Sequence, residues 1–178
     1  MVGMGKLCPT YALGGIMFGA ITVADALPAT ALVRRYVHST CFATSTFDVF
    51  NYSDERGFWT NYYTGDAEFT CPVVESTDFT KADATEVKIY YEDDGSPLTL
   101  SAKVCITRRH PSSPLSSYTC SNPTQSSTNG FSSVAIASLS TWTNASYANE
   151  YPYVVVKLPG GSFSGTDSFA FRGIAITY

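Results

Sequence analysis

Charge is scarce in this chain of 178 residues: Lys and Arg number 11, Asp and Glu 15, and the net charge is -4. The only adjacent basic residues are the isolated pairs Arg34-Arg35 and Arg108-Arg109, and there is no long run of one sign. Nucleic-acid binding needs a basic face that neutralises many phosphates, so no nucleic-acid partner is expected. Histidine is scarcer still, His38 and His110 being the only two. Two imidazoles give no His/Cys cluster at zinc spacing, and neither a metal nor another cofactor is expected. The glycine-any-serine-any-glycine nucleophile elbow is also missing. The nearest run, Gly160-Gly161-Ser162-Phe163-Ser164-Gly165, reads as a glycine-rich strand connection. With no motif to carry one, no catalytic residue is expected.

Helical periodicity is lacking too, with room in 77–85 for one short helix at most. The one long apolar run, Tyr11 to Val23, is shorter than the roughly 20 residues of a spanning helix. It sits instead in a leader with the three parts of a secretory signal: Lys6 ahead of it, and small-residue sites at Ala24-Asp25-Ala26 and Ala29-Thr30-Ala31 behind it. The expected organisation is a signal peptide over 1–31, cleaved near 26 or 31, and a single domain over 32–178 large enough to bury a proper core. No membrane span is expected after cleavage. The protein should be exported, either to a periplasm or outside the cell.

Removal of the leader takes Cys8 with it and leaves an even set, Cys41, Cys71, Cys105 and Cys120. An exported chain keeps such thiols as disulfides. Four cysteines allow three connectivities, which sequence alone does not separate. The preferred pairing is Cys41 with Cys71 and Cys105 with Cys120. The second closes a loop around the proline- and serine-rich span and contributes roughly 3 kcal/mol on the loop-entropy account.

Strand signals fill the rest: 32–38, 46–52, 58–63, 68–74, 87–91, 98–106, 134–139, 153–158 and 168–178, each short, β-branched or aromatic, and bounded by turn residues. Alternation puts Val87, Ile89 and Tyr91 on one face of their strand. It likewise puts Leu100, Ala102, Val104 and Ile106 in step, so that Lys103 and Cys105 point the other way. Asp93-Asp94-Gly95-Ser96-Pro97 lies between these runs, and its Asp-Gly step predicts an antiparallel hairpin over 86–106. Breakers are frequent afterwards, at 111–114, 123–130 and 159–165. The expected fold is all-β: an antiparallel β-sandwich, jelly-roll-like and disulfide-stapled.

Aromatic residues make up 14% of the chain. Phe58-Trp59-Thr60-Asn61-Tyr62-Tyr63 and Trp142-Thr143-Asn144-Ala145-Ser146-Tyr147, followed by Tyr151 and Tyr153, mix flat rings with hydroxyl and amide groups. Sugars offer apolar C–H faces rimmed by hydroxyls, so this mixture suits carbohydrate recognition; it equally suits cross-strand packing in a sheet. The expected contact set is Trp59, Tyr62, Tyr63, Trp142 and Tyr147, in a non-enzymatic protein that binds or builds extracellular material. Its expected partners are extracellular polysaccharide or cell-surface components, with self-association through strand edges as a structural role. The alternative is a secreted hydrolase using carboxylates from Glu92-Asp93-Asp94, with His110. Asn51-Tyr52-Ser53 and Asn144-Ala145-Ser146 match the N-glycosylation acceptor pattern, which matters only where the source has that pathway.

The leader, Val37-His38-Ser39-Thr40-Cys41, Phe69-Thr70-Cys71-Pro72-Val73, Val87-Lys88-Ile89-Tyr90-Tyr91-Glu92-Asp93 and Ala102-Lys103-Val104-Cys105 together resemble a kind of small secreted bacterial protein of uncharacterised function. That resemblance implies a single β-sandwich and no particular activity. The chain departs from the pattern near 153–158, where a late cysteine would be expected and Cys120 supplies the fourth instead.

Overall fold

The computed structural model describes residues 31–44, 51–53, 58–61, 65–93, 95, 99–109, 116–145, 149–160 and 169–178, with the backbone alone at 51–53, 58–61, 109 and 116. The expected leader, 1–31, lies almost wholly outside the described residues. The strands are β1 (Val33–Val37), β2 (Phe42–Ala43), β3 (Asn51–Ser53), β4 (Phe58–Asn61), β5 (Ala67–Pro72), β6 (Glu86–Asp93), β7 (Leu100–Arg109), β8 (Ser116–Cys120), β9 (Thr124–Ser126), β10 (Gly130–Ala135), β11 (Glu150–Leu158) and β12 (Phe169–Thr177). One short helix, α1 (Ser140–Thr143), and two 3-10 turns, His38–Thr40 and Lys81–Asp83, complete the described elements. The second turn is the short helical piece expected within 77–85.

Two antiparallel sheets result. The first runs β10-β6-β12-β4-β3 with β1 also on β12, and the second runs β2-β5-β11-β7-β8 with β9 also on β7. From β5 onward the chain changes sheets at most connections, which makes the sandwich jelly-roll-like. Alternation fixes the inner faces. Val87, Ile89 and Tyr91 of β6 are fully buried, as are Leu100, Val104, Val154 and Val156 from the second sheet. Phe69 and Phe171 meet across the gap at 6.0 Å between ring centroids. Each such side chain contributes roughly 1.5–3 kcal/mol through apolar burial. The Tyr91 hydroxyl shares a 2.5 Å hydrogen bond with Ser126 Oγ, so its polar tip is satisfied inside the core.

The expected hairpin over 86–106 does not form. β6 pairs with β10 and β12, and β7 pairs with β11, β8 and β9, so the two alternating strands belong to opposite sheets. Both bury an apolar face, and alternation alone does not say whether those faces lie side by side or across a core. The chain between Asp93 and Leu100 is long enough to cross the roughly 10 Å between packed sheets. Gly95 still has its turn role, with φ of 94° and its N–H donated to Asp93 Oδ1 at 3.1 Å.

Both central strands share one edge between two short partners. β12 pairs with β4 through Phe169–Phe171 and with β1 through Gly173–Thr177, while β7 takes β9 and β8 in the same way. On β12 the register shifts between Phe171 and Gly173, leaving Arg172 as the extra residue of a bulge. Gly173 has φ of 146°, and a Cβ there would stand 2.5 Å from the Tyr36 carbonyl oxygen.

The disulfides are Cys41–Cys71 and Cys105–Cys120, with Cα separations of 4.1 and 4.0 Å. This is the preferred pairing. The first lies in the core beside Val154, the partner of Cys71 on β11. The second joins directly opposed residues of β7 and β8. Beside the first, His38 is buried in its 3-10 turn, and its carbonyl accepts the Cys41 N–H at 2.9 Å.

Gly173→Ala is expected to lower the free energy of unfolding by about 2–3 kcal/mol, since strained φ and overlap with backbone act together; urea unfolding measures it. Burial holds the His38 imidazole below its ordinary value of 6.5. A group depressed on folding contributes stability above its unfolded value and loses it as pH falls through the folded one. Thermal melts should therefore drop between neutral pH and mildly acidic pH, and His38→Gln should flatten that drop.

Candidate functional site

Strand geometry sends successive side chains to opposite faces, so a surface site in a sandwich is assembled from rows that run across strands. On the second sheet, one row places Tyr118 of β8, Thr107 of β7 and Tyr151 of β11 side by side. The next row holds Cys120, Cys105, Tyr153 and Pro72. A third holds Lys103, Val155, Thr70 and Phe42. These residues face away from the core, since their chain neighbours Val104, Val154, Val156 and Phe69 fill it.

Tyr118 is 75% exposed and Tyr151 57%, while Tyr153 in the next row is half-buried. Two strand spacings separate Tyr118 from Tyr151, about 9.5 Å. The Cys105–Cys120 bond lies in this outer face, with Cys105 fully buried and Tyr153 beside it in register. Because Tyr118 stands two residues from Cys120, the staple fixes the stretch of β8 that carries this ring relative to β7. Burial, then the neighbouring Tyr118 phenol, then Glu68 raise the Tyr153 phenol above its ordinary range, so it remains an O–H donor. Lys157 is paired with Asp66 at 2.6 Å, and Lys103 and Glu68 carry one charge of each sign. The described part of the face is aromatic, hydroxyl-rich and without net charge.

Of the expected contact set, only Trp142 has a described side chain, and it does not face solvent. Trp142 is fully buried and donates its indole N–H to the Cys105 carbonyl at 2.8 Å, so it offers no ring face to a ligand. On the buried side of α1 it is a core plug, which its Thr/Asn neighbours disguise. The backbone of Trp59 pairs opposite Phe171 on β12, and its side chain is outside the described residues. Tyr62, Tyr63 and Tyr147 lie outside them altogether, as do Asp94 and His110. Sequence reasoning missed Tyr118; its signal was a lone aromatic residue in the polar run Ser116-Ser117-Tyr118-Thr119-Cys120.

The acidic cluster is split by the same strand geometry. Glu92 faces outward and pairs with Arg172, whereas Asp93 is 1% exposed and caps the turn at Gly95. Glu150 lines a cavity and accepts hydrogen bonds from Arg108, through Nε at 3.0 Å and through Nη2. It borders a space of about 350 Å³ at one end of the sandwich with Thr119, Ser140, Thr141 and Asn144. Among the described residues, no group of three or more His, Cys, Asp or Glu is arranged to hold a metal ion, and no helix is long and apolar enough to cross a membrane.

No protein-family model matches the chain, and no curated protein matches it. The motif resemblance to small secreted bacterial proteins is therefore without a family behind it. Among solved structures, the chain is similar to a family two carbohydrate esterase from Cellvibrio japonicus, at 12% identity and a TM-score of 0.45, over 83% of this chain and 34% of that one. It thus spans about a third of that esterase's length. It is also similar to a low-affinity xylan-binding module from the xylanolytic gut symbiont Roseburia intestinalis, at 10% identity and a TM-score of 0.42, over 82% of this chain and 94% of that one. Both scores lie below 0.5, so neither neighbour's ligand or activity carries over to this chain.

Removing Arg108 leaves the Glu150 carboxylate buried without its guanidinium. Arg108→Ala should cost about 2–3 kcal/mol in urea unfolding, below the loss for a fully buried pair because Arg108 is partly in water.

Proposed function

We propose that the protein is an exported, non-enzymatic β-sandwich that binds a neutral extracellular polysaccharide on the outer face of its second sheet. The observation that carries this reading is the set of tyrosines, Tyr118, Tyr151 and Tyr153, on one face whose strands are tied by a disulfide. Aromatic rings stack on the C–H faces of sugars, and phenol, threonine and lysine groups at the rim bond to hydroxyls. Holding the rings in place before the ligand arrives lowers the entropy lost on binding. The two disulfides support the exported setting, because such bonds persist in oxidising compartments.

Affinity electrophoresis through gels containing neutral polysaccharides tests it. The wild-type protein should be retarded by at least one of them, and the Tyr118→Ala/Tyr151→Ala double variant should lose that binding by about 10-fold or more, the equivalent of roughly 1.4 kcal/mol. Both side chains are exposed, so circular dichroism should be unchanged. Migration unaffected by every neutral polysaccharide, or identical in the variant, would refute the proposal.

A further inference from the structure

The other side of the sandwich has a depression of its own, of about 280 Å³, on the outer face of the first sheet. Its floor is Gly173, where the bulge on β12 brings two residues opposite Tyr90 and leaves no side chain on one of them. Arg35 and Val37 of β1 form one wall, and Tyr90, Phe131 and Arg172 form the other. Tyr90 and Phe131 are cross-strand neighbours with rings stacked at 6.5 Å and an angle of 22°. Phe131 is 66% exposed, a large apolar ring left open to water.

Charge distinguishes this hollow from the tyrosine face. The Arg172 guanidinium lies 5.8 Å from the centre of the Phe131 ring and pairs with Glu92. Arg35 is exposed on the far wall and makes no ion pair with any described residue. Its sequence neighbour Arg34 points the other way, donating to the Val74 carbonyl at 2.6 Å and lying 4.7 Å from the Phe79 ring centre. The lining of the depression therefore carries two guanidinium groups, one of them offset by Glu92 beside it, an excess of positive charge in a chain whose net charge is -4.

We infer that this depression binds a single carboxylate-bearing sugar residue, as in an acidic polysaccharide. The sugar ring rests against Phe131 and Tyr90, and the carboxylate meets Arg35, whose planar fork matches a carboxylate with two parallel hydrogen bonds. The size is just under the roughly 300–1,000 Å³ of typical small-molecule sites, which suits one ring and not an enclosed chain. The bulge serves the site as well as the fold: it turns Arg172 toward Phe131 and keeps the floor bare. This site lies on the opposite sheet from the tyrosine face and does not depend on it.

Titration of the mature protein with oligogalacturonate, followed by heteronuclear NMR and calorimetry, tests the inference. Expected are shifts at Val37, Tyr90, Phe131 and Gly173, an affinity that falls as salt is added, and a loss of about 10-fold in both Arg35→Gln and Phe131→Ala. The Tyr118→Ala/Tyr151→Ala variant should bind as the wild type does. Equal binding of the methyl-esterified oligosaccharide, unchanged affinity in Arg35→Gln, or shifts confined to Tyr118 and Tyr151 would overturn it. Inorganic phosphate bound through Arg35 as tightly as the sugar, with no effect of Phe131→Ala, would overturn it too, by showing an anion site without a sugar. Failure of neutral polysaccharides to bind the tyrosine face leaves every one of these readouts intact.

Discussion

The close approach of the Tyr36 carbonyl to Gly173 is the constraint on which the first sheet depends. β12 has to accept β6 along the whole of one edge, and β4 and then β1 along the other. The ladder with β6 is interrupted between the stretches that pair with β4 and with β1, where Arg172 is the extra residue. The bulge brings the backbone of β1 so near that a Cβ at 173 has no room. On either side of it, Phe171 and Ile174 both return to the core, so the buried face of β12 continues through the irregularity. The bare glycine and the turned arginine on the outer face follow from that same local geometry.

The two disulfides differ in what they hold. Cys41–Cys71 sits among buried apolar residues and ties the short strand β2, with little side-chain burial of its own, to β5. A two-residue strand gains few ladder hydrogen bonds, so a covalent tie is a large share of what keeps it there. Cys105–Cys120 belongs to the outer face, in the same row as Tyr153 and next to the row that holds Tyr118. Its strand β8 has the polar sequence Ser-Ser-Tyr-Thr-Cys and leaves Tyr118 largely in water. Apolar packing therefore does little to hold β8, and the staple supplies much of the tie between that ring and β7.

Much of the fold was legible because period-two alternation is a direct consequence of strand geometry. Val87, Ile89 and Tyr91 could be assigned to a buried face from their spacing, and so could Leu100, Ala102 and Val104. Partners were not legible, since alternation assigns a face and leaves the sheet open; the hairpin expected at Asp93–Pro97 failed for that reason. β8 and β9 were hidden because edge strands that share one side of β7 bury little and need no apolar pattern. Trp142 misled because a helix as short as Ser140–Thr143 has no period to read, and an indole among Thr and Asn looks like surface. Of the candidate site, only Tyr151 and Tyr153 stood out in the sequence, and Tyr118, Phe131 and Arg35 became visible through register.

Register also explains why sequence clusters of chemical groups were poor guides here. Arg34 and Arg35 are adjacent, yet one reaches Phe79 on the inner side and the other lines the outer hollow. Glu92 and Asp93 divide in the same way, one pairing with Arg172 and one buried at a turn. A strand separates neighbours by a half-turn of the chain and unites residues far apart in sequence, such as Tyr118 with Tyr151 and Arg35 with Arg172. In a sandwich whose charged residues are this few, each face takes its chemistry from which member of a pair it receives. The first sheet received the arginine that its hollow leaves without a described partner, and the second received tyrosines with balanced charges, so the two faces differ in charge and in chemistry.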